Sequence, residues 1–380
     1  MIEVREITDK DIIPLAEFLA KVFPHTLAKG FPYTTKEFWL NLFDLWWTSN
    51  PSYSNQMPKG WILENDLTFV GFIGNIPVKF MIYGEVKIAA ASNAWYVDPL
   101  IRGLFSLRLF NEFIAQKYPS LFLFKIEDTS FEKILSKYKF KKFVLPKFQK
   151  EYIYIINKKQ VNYVFFNVIF KKRISTLSDF FELYKKLGFL FFTYLYQKST
   201  FQQADINNET FISSICTVCD DSFSRIWEPY LNSCDITLSR DTKTLNWLYF
   251  SPFRLRKRIV IQCHRECDKT LAGYMVFDVQ RIKPSDQGSL QLMDMCIVND
   301  DPRVMASLLS FAIKIGNQND AALLVVWANN QETEKYFHDT FTLKRPAQYN
   351  RYIRFTNLQD NYSELTDHIK VCPTMIFPPQ

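Results

Sequence analysis

Glycine is scarce, with ten residues in a chain of 380. So few leave no room for flexible glycine-rich linkers between folded units. No apolar run reaches the roughly 18 residues that cross a bilayer. The nearest, residues 187–196 (LGFLFFTYLY), is too short. The opening MIEVREITDKD has no basic segment followed by an apolar core, so no secretory leader is read there. The seven cysteines are odd in number and scattered, which points to reduced thiols in a cytoplasmic protein. There is no P-loop, no dinucleotide fingerprint and no zinc-protease helix.

What is present is apolar, aromatic and mildly basic. Hydrophobic residues make up 48% of the chain, enough for proper cores and against disorder. The 36 Phe and 19 Tyr dominate an aromatic share of 17%, suited to filled cores and to a sticky cleft or interface. The length suggests two domains, or one large one. The net charge is +7, with Lys and Arg clustered at residues 137–150 and 171–173. A solvated face explains such clusters, and CoA phosphates or an anionic membrane surface could also meet them. Modest basicity alone does not make a nucleic-acid binder, and no nucleic acid is expected.

The chain is organised around residues 91–116. Ala91, Ala94, Tyr96 and Val97 suit a buried strand. Asp98 and Pro99 stop it, because Pro99 has no N–H for a sheet ladder. Arg102 and Gly103 open a turn. Apolar residues then fall at Leu104, Leu107, Phe110, Phe113 and Ile114, which is helical spacing. A strand feeding a helix through a short loop aims free N–H groups and the positive end of the helix dipole at one point. That arrangement suits phosphate or pyrophosphate. An ordinary strand–turn–helix unit with no ligand has the same outline.

Val97-Asp98-Pro99-Leu100-Ile101-Arg102-Gly103 resembles the acyl-CoA motif V-x-P-x-x-R-G-x-G-x-G of the GNAT acyltransferase superfamily. The resemblance implies that the strand at Tyr96 and Val97 pairs with pantetheine. It implies that Arg102, Gly103, Leu104, Phe105, Ser106 and Leu107 cradle the CoA pyrophosphate, and that the Val97 N–H meets the thioester carbonyl. The sequence departs at Phe105 and Leu107, where the family has glycines that let a phosphate approach the backbone.

The flanking sequence resembles the same superfamily. Residues 2–7 read as a strand, Thr8 as an N-cap, and Ile12, Leu15, Ala16, Leu19 and Val22 as one helical face. GWILENDLTFVGFIGNIPVKF resembles the family's hairpin, with strands at 61–64, 69–73 and 78–83 interrupted at Asn75 and Pro77. The aromatic residues Phe31, Tyr33, Phe38, Trp39, Phe43, Trp46 and Trp47 read as helices beside the acceptor cleft by resemblance, or as core packing by spacing. Residues 120–126 read as a strand. Residues 129–143 resemble the family's last helix and strand, with Lys139-Phe140 standing where Gly-Phe is usual. Leu135 stands where an acid tyrosine is usual, and Tyr138 lies one turn away.

Residues 152–156 and 163–169 read as strands, and 171–198 as a helical connector with at most peripheral membrane contact. A helix is expected at 210–223. Arg240-Asp241 and Leu245-Asn246-Trp247 resemble the R-D-x-x-x-L-N-W wording of the C-terminal half of tandem GNAT-like proteins, with Leu248 in place of an Arg. Strands at 258–263, 271–279 and 290–298, a helix at 302–316, a strand at 322–328 and a helix at 332–341 repeat the order of the first half. The matching turn is Val298-Asn299-Asp300-Asp301-Pro302, whose two Asp repel a pyrophosphate. The expected fold class is α/β (an α+β mixed sheet) in two tandem acyl-CoA N-acyltransferase-like domains. They are residues 1–157 with the acyl-CoA site, a connector at 158–208, residues 209–357 without a CoA motif, and a tail at 358–380.

Acyl transfer to an amine needs proximity, an oxyanion donor and a base. Glu64 is the first candidate base by position, and a surface hairpin carboxylate is its other reading. Glu127, Asp128, Ser92 and Asn93 lie near the same expected cleft, and Tyr138 is the nearest phenol. Cys216-x-x-Cys219 and Cys263-His264-x-x-Cys267 have ligand-like spacing. The first pair falls on the buried side of the expected helix, and no metal is expected. The function that follows is transfer of an acyl group from acetyl-CoA or another acyl-CoA to an amine: an amino sugar, an amino acid or a peptidyl amine. A non-catalytic scaffold of the same fold, and a transferase using another activated donor such as an aminoacyl carrier, stay open.

Overall fold

Each half of the chain builds a mixed sheet, and each sheet is completed by a strand from the other half. The computed structural model describes residues 1–23, 35–82, 84–122, 129–144, 150–157, 211–231, 236–252, 258–282, 287–328, 330–341, 343–346 and 350–354. The first half runs β1 (Ile2–Glu6), α1 (Ile12–Val22), α2 (Lys36–Phe43), β2 (Gly60–Asn65), β3 (Thr68–Ile82), β4 (Glu85–Val97), α3 (Leu104–Ala115), β5 (Ser120–Phe122), α4 (Thr129–Lys137), β6 (Lys141–Val144) and β7 (Lys150–Ile155). The second runs β8 (Phe211–Cys216), α5 (Asp221–Trp227), β9 (Ile236–Leu238), α6 (Thr242–Phe250), β10 (Arg258–Arg265), β11 (Leu271–Ile282), β12 (Gln287–Ile297), α7 (Pro302–Gln318), β13 (Ala321–Trp327), α8 (Gln331–Thr340), β14 (Leu343–Pro346) and β15 (Asn350–Arg354).

The first sheet has the order β1-β2-β3-β4-β5-β15-β6, with β9 added along the far end of β3. The second has the order β8-β10-β11-β12-β13-β7-β14. The pairs β4–β5 and β12–β13 are parallel. The two orders match strand for strand, and the exchange is reciprocal. β15 inserts between β5 and β6, and β7 between β13 and β14. The unit boundary expected at residue 157 thus follows a strand that lies in the second sheet.

Two expectations are corrected. β3 does not break at Asn75 and Pro77 but runs through both. Asn75 N–H donates to the Lys59 carbonyl at 3.0 Å, so strand alternation turns the Pro77 nitrogen to the same edge. The β2 ladder has ended by then at Gly60, and β9 begins only opposite Phe80. No ladder donor is required of Pro77, and the Asn50 amide caps its carbonyl at 2.8 Å. Residues 211–216 are strand β8 rather than helix, paired with β10 from Phe211–Arg265 to Cys216–Val260. Pairing with a neighbouring strand overrode the apolar spacing read as helical. Cys216 therefore ends a strand, and Cys219 sits in the loop that follows. The expectations at 163–169, 171–198 and 358–380, with Phe31 and Tyr33, lie outside the described residues.

Three buried clusters hold the sheets. One fills the outer face of the first sheet under α3 and α4, around Leu109, Phe110, Phe113 and Leu135. One fills the outer face of the second sheet under α7 and α8. The third is shared: Trp39, Phe43 and Trp46 from the first half pack in one cluster with Phe223, Trp247 and Tyr274 from the second. The aromatic residues of α2 and of its π-helical continuation (Asp44–Thr48) are therefore core. Each ring of that size contributes about 1.5–3 kcal/mol by burial.

Polar contacts cross the same junction. Trp247 Nε1 donates to the Leu45 carbonyl at 2.8 Å, and Lys79 pairs with Asp241 at 3.0 Å. Asp241 also caps α6, accepting from Thr244 N–H at 3.0 Å. Asn246 clamps both backbone groups of Cys219. Arg240 is buried and pairs with buried Asp294 at 2.8 Å. Asp294 also accepts from the phenols of Tyr249 (2.5 Å) and Tyr274 (3.2 Å). Burial first, then the Asp294 charge, pushes both phenols well up, so both stay protonated and donate. Replacing Arg240 with Met leaves that carboxylate without its cation. Urea unfolding should show a loss of about 3–5 kcal/mol, far above the cost of replacing an exposed arginine such as Arg225.

Candidate active site

β4 ends where its ligand chemistry was expected to begin. Asp98 N–H donates to the Val70 carbonyl on β3 at 2.8 Å. Strand alternation then turns the N–H and C=O of Val97 to the opposite edge. On that edge the described pairing of β4 with β5 consists of Ala90–Ser120 and Ala91–Leu121. Beyond it β4 runs on for six residues, 92–97. A bulge lies in this stretch. Tyr96 pairs with Phe72 and Asn93 with Gly74, so Ala94 and Trp95 together oppose Ile73. Ala94 takes up the extra residue in the left-handed region, with φ 54°. Bulges of this kind re-aim backbone groups and are frequent beside functional sites.

The turn after β4 is built by Asp98. Its carboxylate accepts from Leu100 N–H at 2.9 Å, and its carbonyl from Ile101 N–H at 3.1 Å. Arg102 folds back, and its Nε donates to the Val97 carbonyl at 2.9 Å. Gly103 precedes the first residue of α3 with φ 91°, a conformation that needs glycine. No side chain caps this helix start, which leaves the N–H groups of Leu104, Phe105 and Ser106 at its positive end. Phe105 and Leu107 are half-buried, and the Arg108 guanidinium lies 5.0 Å from the Phe105 ring. Two arginines thus flank the helix start. The bulky residues at the glycine positions do not prevent the turn from forming.

The remaining candidates are spread around this strand. Tyr96 faces α1, against Phe18 and Phe23, and burial followed by the Asp98 charge raises its phenol. Glu64 is the last residue but one of β2, on the same face. Arg5 Nε donates to Glu64 Oε2 at 2.5 Å, and the same guanidinium grips Asp11 through two bonds of 2.8 Å. Glu64 sits two strands across and one residue along from Val97, whose line runs through Gly71 to Leu63, about 10 Å by strand spacing. Tyr138 follows α4, with its ring edge-on to Phe110 at 5.0 Å, and Trp95 stacks on Phe110 at 5.6 Å. Leu135 is fully buried. Lys139 takes φ 61° at the position usually held by glycine, and Phe140 N–H closes back on the Leu135 carbonyl. Glu127 and Asp128 lie outside the described residues.

The equivalent turn of the second half has opposite electrostatics. Asp301 caps α7 itself, accepting from Arg303 N–H at 2.9 Å, and pairs with the Arg303 guanidinium. Cys216, Cys219 and Cys263 are buried and Cys267 is exposed. Among the described residues no group of three or more His, Cys, Asp or Glu could hold a metal ion. No described helix is long and apolar enough to cross a membrane.

No family model matches the sequence, and no curated protein matches it. Solved structures do. The chain is similar to a GCN5-related N-acetyltransferase from Anabaena variabilis ATCC 29413, with 9% identity, TM-score 0.54, and 93% of this chain and 72% of that chain covered. It is similar to a probable N-acyltransferase from Enterococcus faecalis V583, with 9% identity, TM-score 0.55 and the same coverages. It is also similar to Saccharomyces cerevisiae N-myristoyltransferase with bound myristoyl-CoA, with 12% identity, TM-score 0.51, and 93% of this chain and 78% of that chain covered. These likenesses define an acyltransferase-type fold. It is the GNAT fold expected from residues 97–103, in a tandem arrangement.

The Arg5–Asp11–Glu64 cluster gives a pH test. Arg5 hydrogen bonding pulls the Asp11 carboxyl from 3.8 down to about 2. A depressed folded-state value stabilises fully above the unfolded value of 3.8 and is lost as pH falls towards about 2. Asp11→Asn should lower stability at neutral pH and flatten its fall over that acid window, as read by urea unfolding at stepped pH.

Proposed function

We propose that the chain is an acyl-CoA-dependent N-acyltransferase whose donor site is the outer edge of β4 and the start of α3. One observation carries the reading. Val97 turns its N–H and C=O away from β3, and Arg102, Gly103 and an uncapped helix start follow immediately. An extended pantetheine arm pairs with such an edge as a strand would. The N–H groups of Leu104, Phe105 and Ser106, with Arg102, meet the pyrophosphate. For Arg102 to do so, it leaves the Val97 carbonyl. That carbonyl and the Val97 N–H then become available to the arm and the thioester.

The chemistry follows. An amine attacks the thioester carbon, the C–S bond breaks, and CoA leaves as a thiolate that takes up a proton. The Val97 N–H stabilises the oxygen that gains charge. Glu64 is the base we assign, acting from the α1 face through the acceptor and a chain of waters. Tyr96, whose phenol burial raises, is the acid we assign on that same face. The acceptor is an amine, whether on a sugar, an amino acid or a peptide.

Buried Leu135 in place of an acid tyrosine favours the second reading, a binding protein that keeps the fold. Calorimetric titration with CoA and acetyl-CoA separates the two. Micromolar binding that weakens about 10–100-fold in Arg102→Glu supports the donor site. A folded protein that ignores every acyl-CoA is not an acyl-CoA transferase. Once an acceptor is found, Glu64→Gln should cut turnover about 100-fold or more while CoA affinity holds.

A further inference from the structure

The sequence carries two cysteine pairs of similar spacing, and the fold treats them differently. Cys216 ends β8, and Cys219 lies three residues on, just before α5. Both are buried in the shared aromatic cluster. Their thiols are in hydrogen-bond contact with each other. The Cys216 thiol also meets the Val218 carbonyl at 3.1 Å. Cys263 instead lies in the cluster beneath α7, with the hydroxyls of Ser213 and Ser307 as its thiol's partners. Cys267 is exposed in the turn between β10 and β11.

The Cys216–Cys219 contact is held from both ends. Cys216 pairs with Val260 in the β8–β10 ladder. Asn246 of α6 grips the backbone N–H and C=O of Cys219, and the next residue, Trp247, donates to Leu45 in the first half. Between the two thiols, Thr217 and Val218 are exposed, Val218 at 64%. The dithiol therefore sits directly under a short solvent-facing bend. The two sulfurs also differ in character. The Cys219 hydrogen bond lowers the Cys216 thiol below its ordinary value, whereas that same bond, with burial, raises Cys219. Exchange needs this division, one sulfur that ionises and attacks and a second poised to resolve.

We propose that Cys216 and Cys219 form a reversible disulfide-exchange site, oxidised by low-molecular-weight disulfides of the glutathione disulfide kind. The Cys216 sulfur attacks one sulfur of the oxidant, whose S–S bond breaks, and one thiol leaves. The Cys219 sulfur then attacks Cys216 in the mixed disulfide. The Cys216–Cys219 bond forms and the second thiol leaves. The two cysteine protons end on the two departing thiols, so two cysteines are oxidised and one disulfide is reduced. The new bond closes a bend anchored on β10 and on α6, and through Trp247 it reinforces the junction between the halves. Since folding brings the thiols together, folding favours the bond and the bond favours folding.

The test equilibrates the full chain, folded and in urea, in glutathione buffers of stepped oxidised-to-reduced ratio. Free thiols are then alkylated and the products mapped by mass spectrometry. In the folded chain the Cys216–Cys219 disulfide should be half-formed at a ratio about tenfold or more less oxidising than in urea. Cys263 and Cys267 should still be alkylated there. The oxidised protein should unfold at a higher urea concentration than the reduced one, a rise that a dithiol reductant reverses and Cys219→Ala abolishes. Disulfide formation no easier in the folded chain, pairing of either cysteine with another, or a rise that persists in Cys219→Ala overturns the proposal. Should Cys219→Ala not fold, the wild-type comparison of folded and unfolded chains decides alone. Acyl-CoA enters none of these measurements, so the exchange site and the donor site fail separately.

Discussion

The reciprocal exchange of β7 and β15 is the constraint on which the rest depends. A sheet strand left unpaired exposes a row of N–H and C=O groups. Here β5 and β6 are joined through β15, and β13 and β14 through β7. Neither sheet is complete until the other half of the chain has been placed. The shared aromatic cluster is the packing counterpart of this exchange, since Trp46 and Trp247 are buried together. The halves form one cooperative unit by construction, and cutting the chain between them would open both sheets at once.

The exchange also frames the candidate site. β15 occupies the far edge of β5 and holds it in the sheet from that side. The described β4–β5 pairing is two residues long, yet both strands keep their places. β4 carries a bulge at Ala94, and the Val97 backbone groups turn away from β3. The stability of the region comes from β3, the strand it shares the longest ladder with, and from α3 packing on its outer face.

Much of this was legible in the sequence, and the failures have physical causes. The strand–turn–helix at residues 91–116 could be read because every local signal agreed: alternation, Pro99, Gly103 and a helical stripe. β8 could not, since FISSIC satisfies a strand and a helical stripe equally and only pairing with β10 decides. Pro77 looked like a break because its compatibility depends on which edge of β3 lacks a neighbour, a tertiary fact. The exchange left no local trace, because Tyr152 and Ile155 suit a strand in either sheet. Glu64 was rightly placed on the hairpin, but its tie to Arg5 and Asp11 joins residues far apart in sequence.

The two halves put different residues at matching positions of one architecture. The fourth strand of each is bulged near its end. In β4 the residue three before the end is Ala94, and in β12 it is Asp294, beside a bulge at Met293. Alanine leaves the β4 position to backbone chemistry. Asp294 instead gathers Arg240, Tyr249 and Tyr274 into a buried, fully engaged network. The turn that follows diverges in the same sense: an uncapped helix start beside Arg102 in the first half, and a start capped by Asp301 in the second. A polar network of this kind fixes the packing of α6 against β11 and β12. The second half thus ties α6, β11 and β12 together through one carboxylate, a tie for which the first half has alanine.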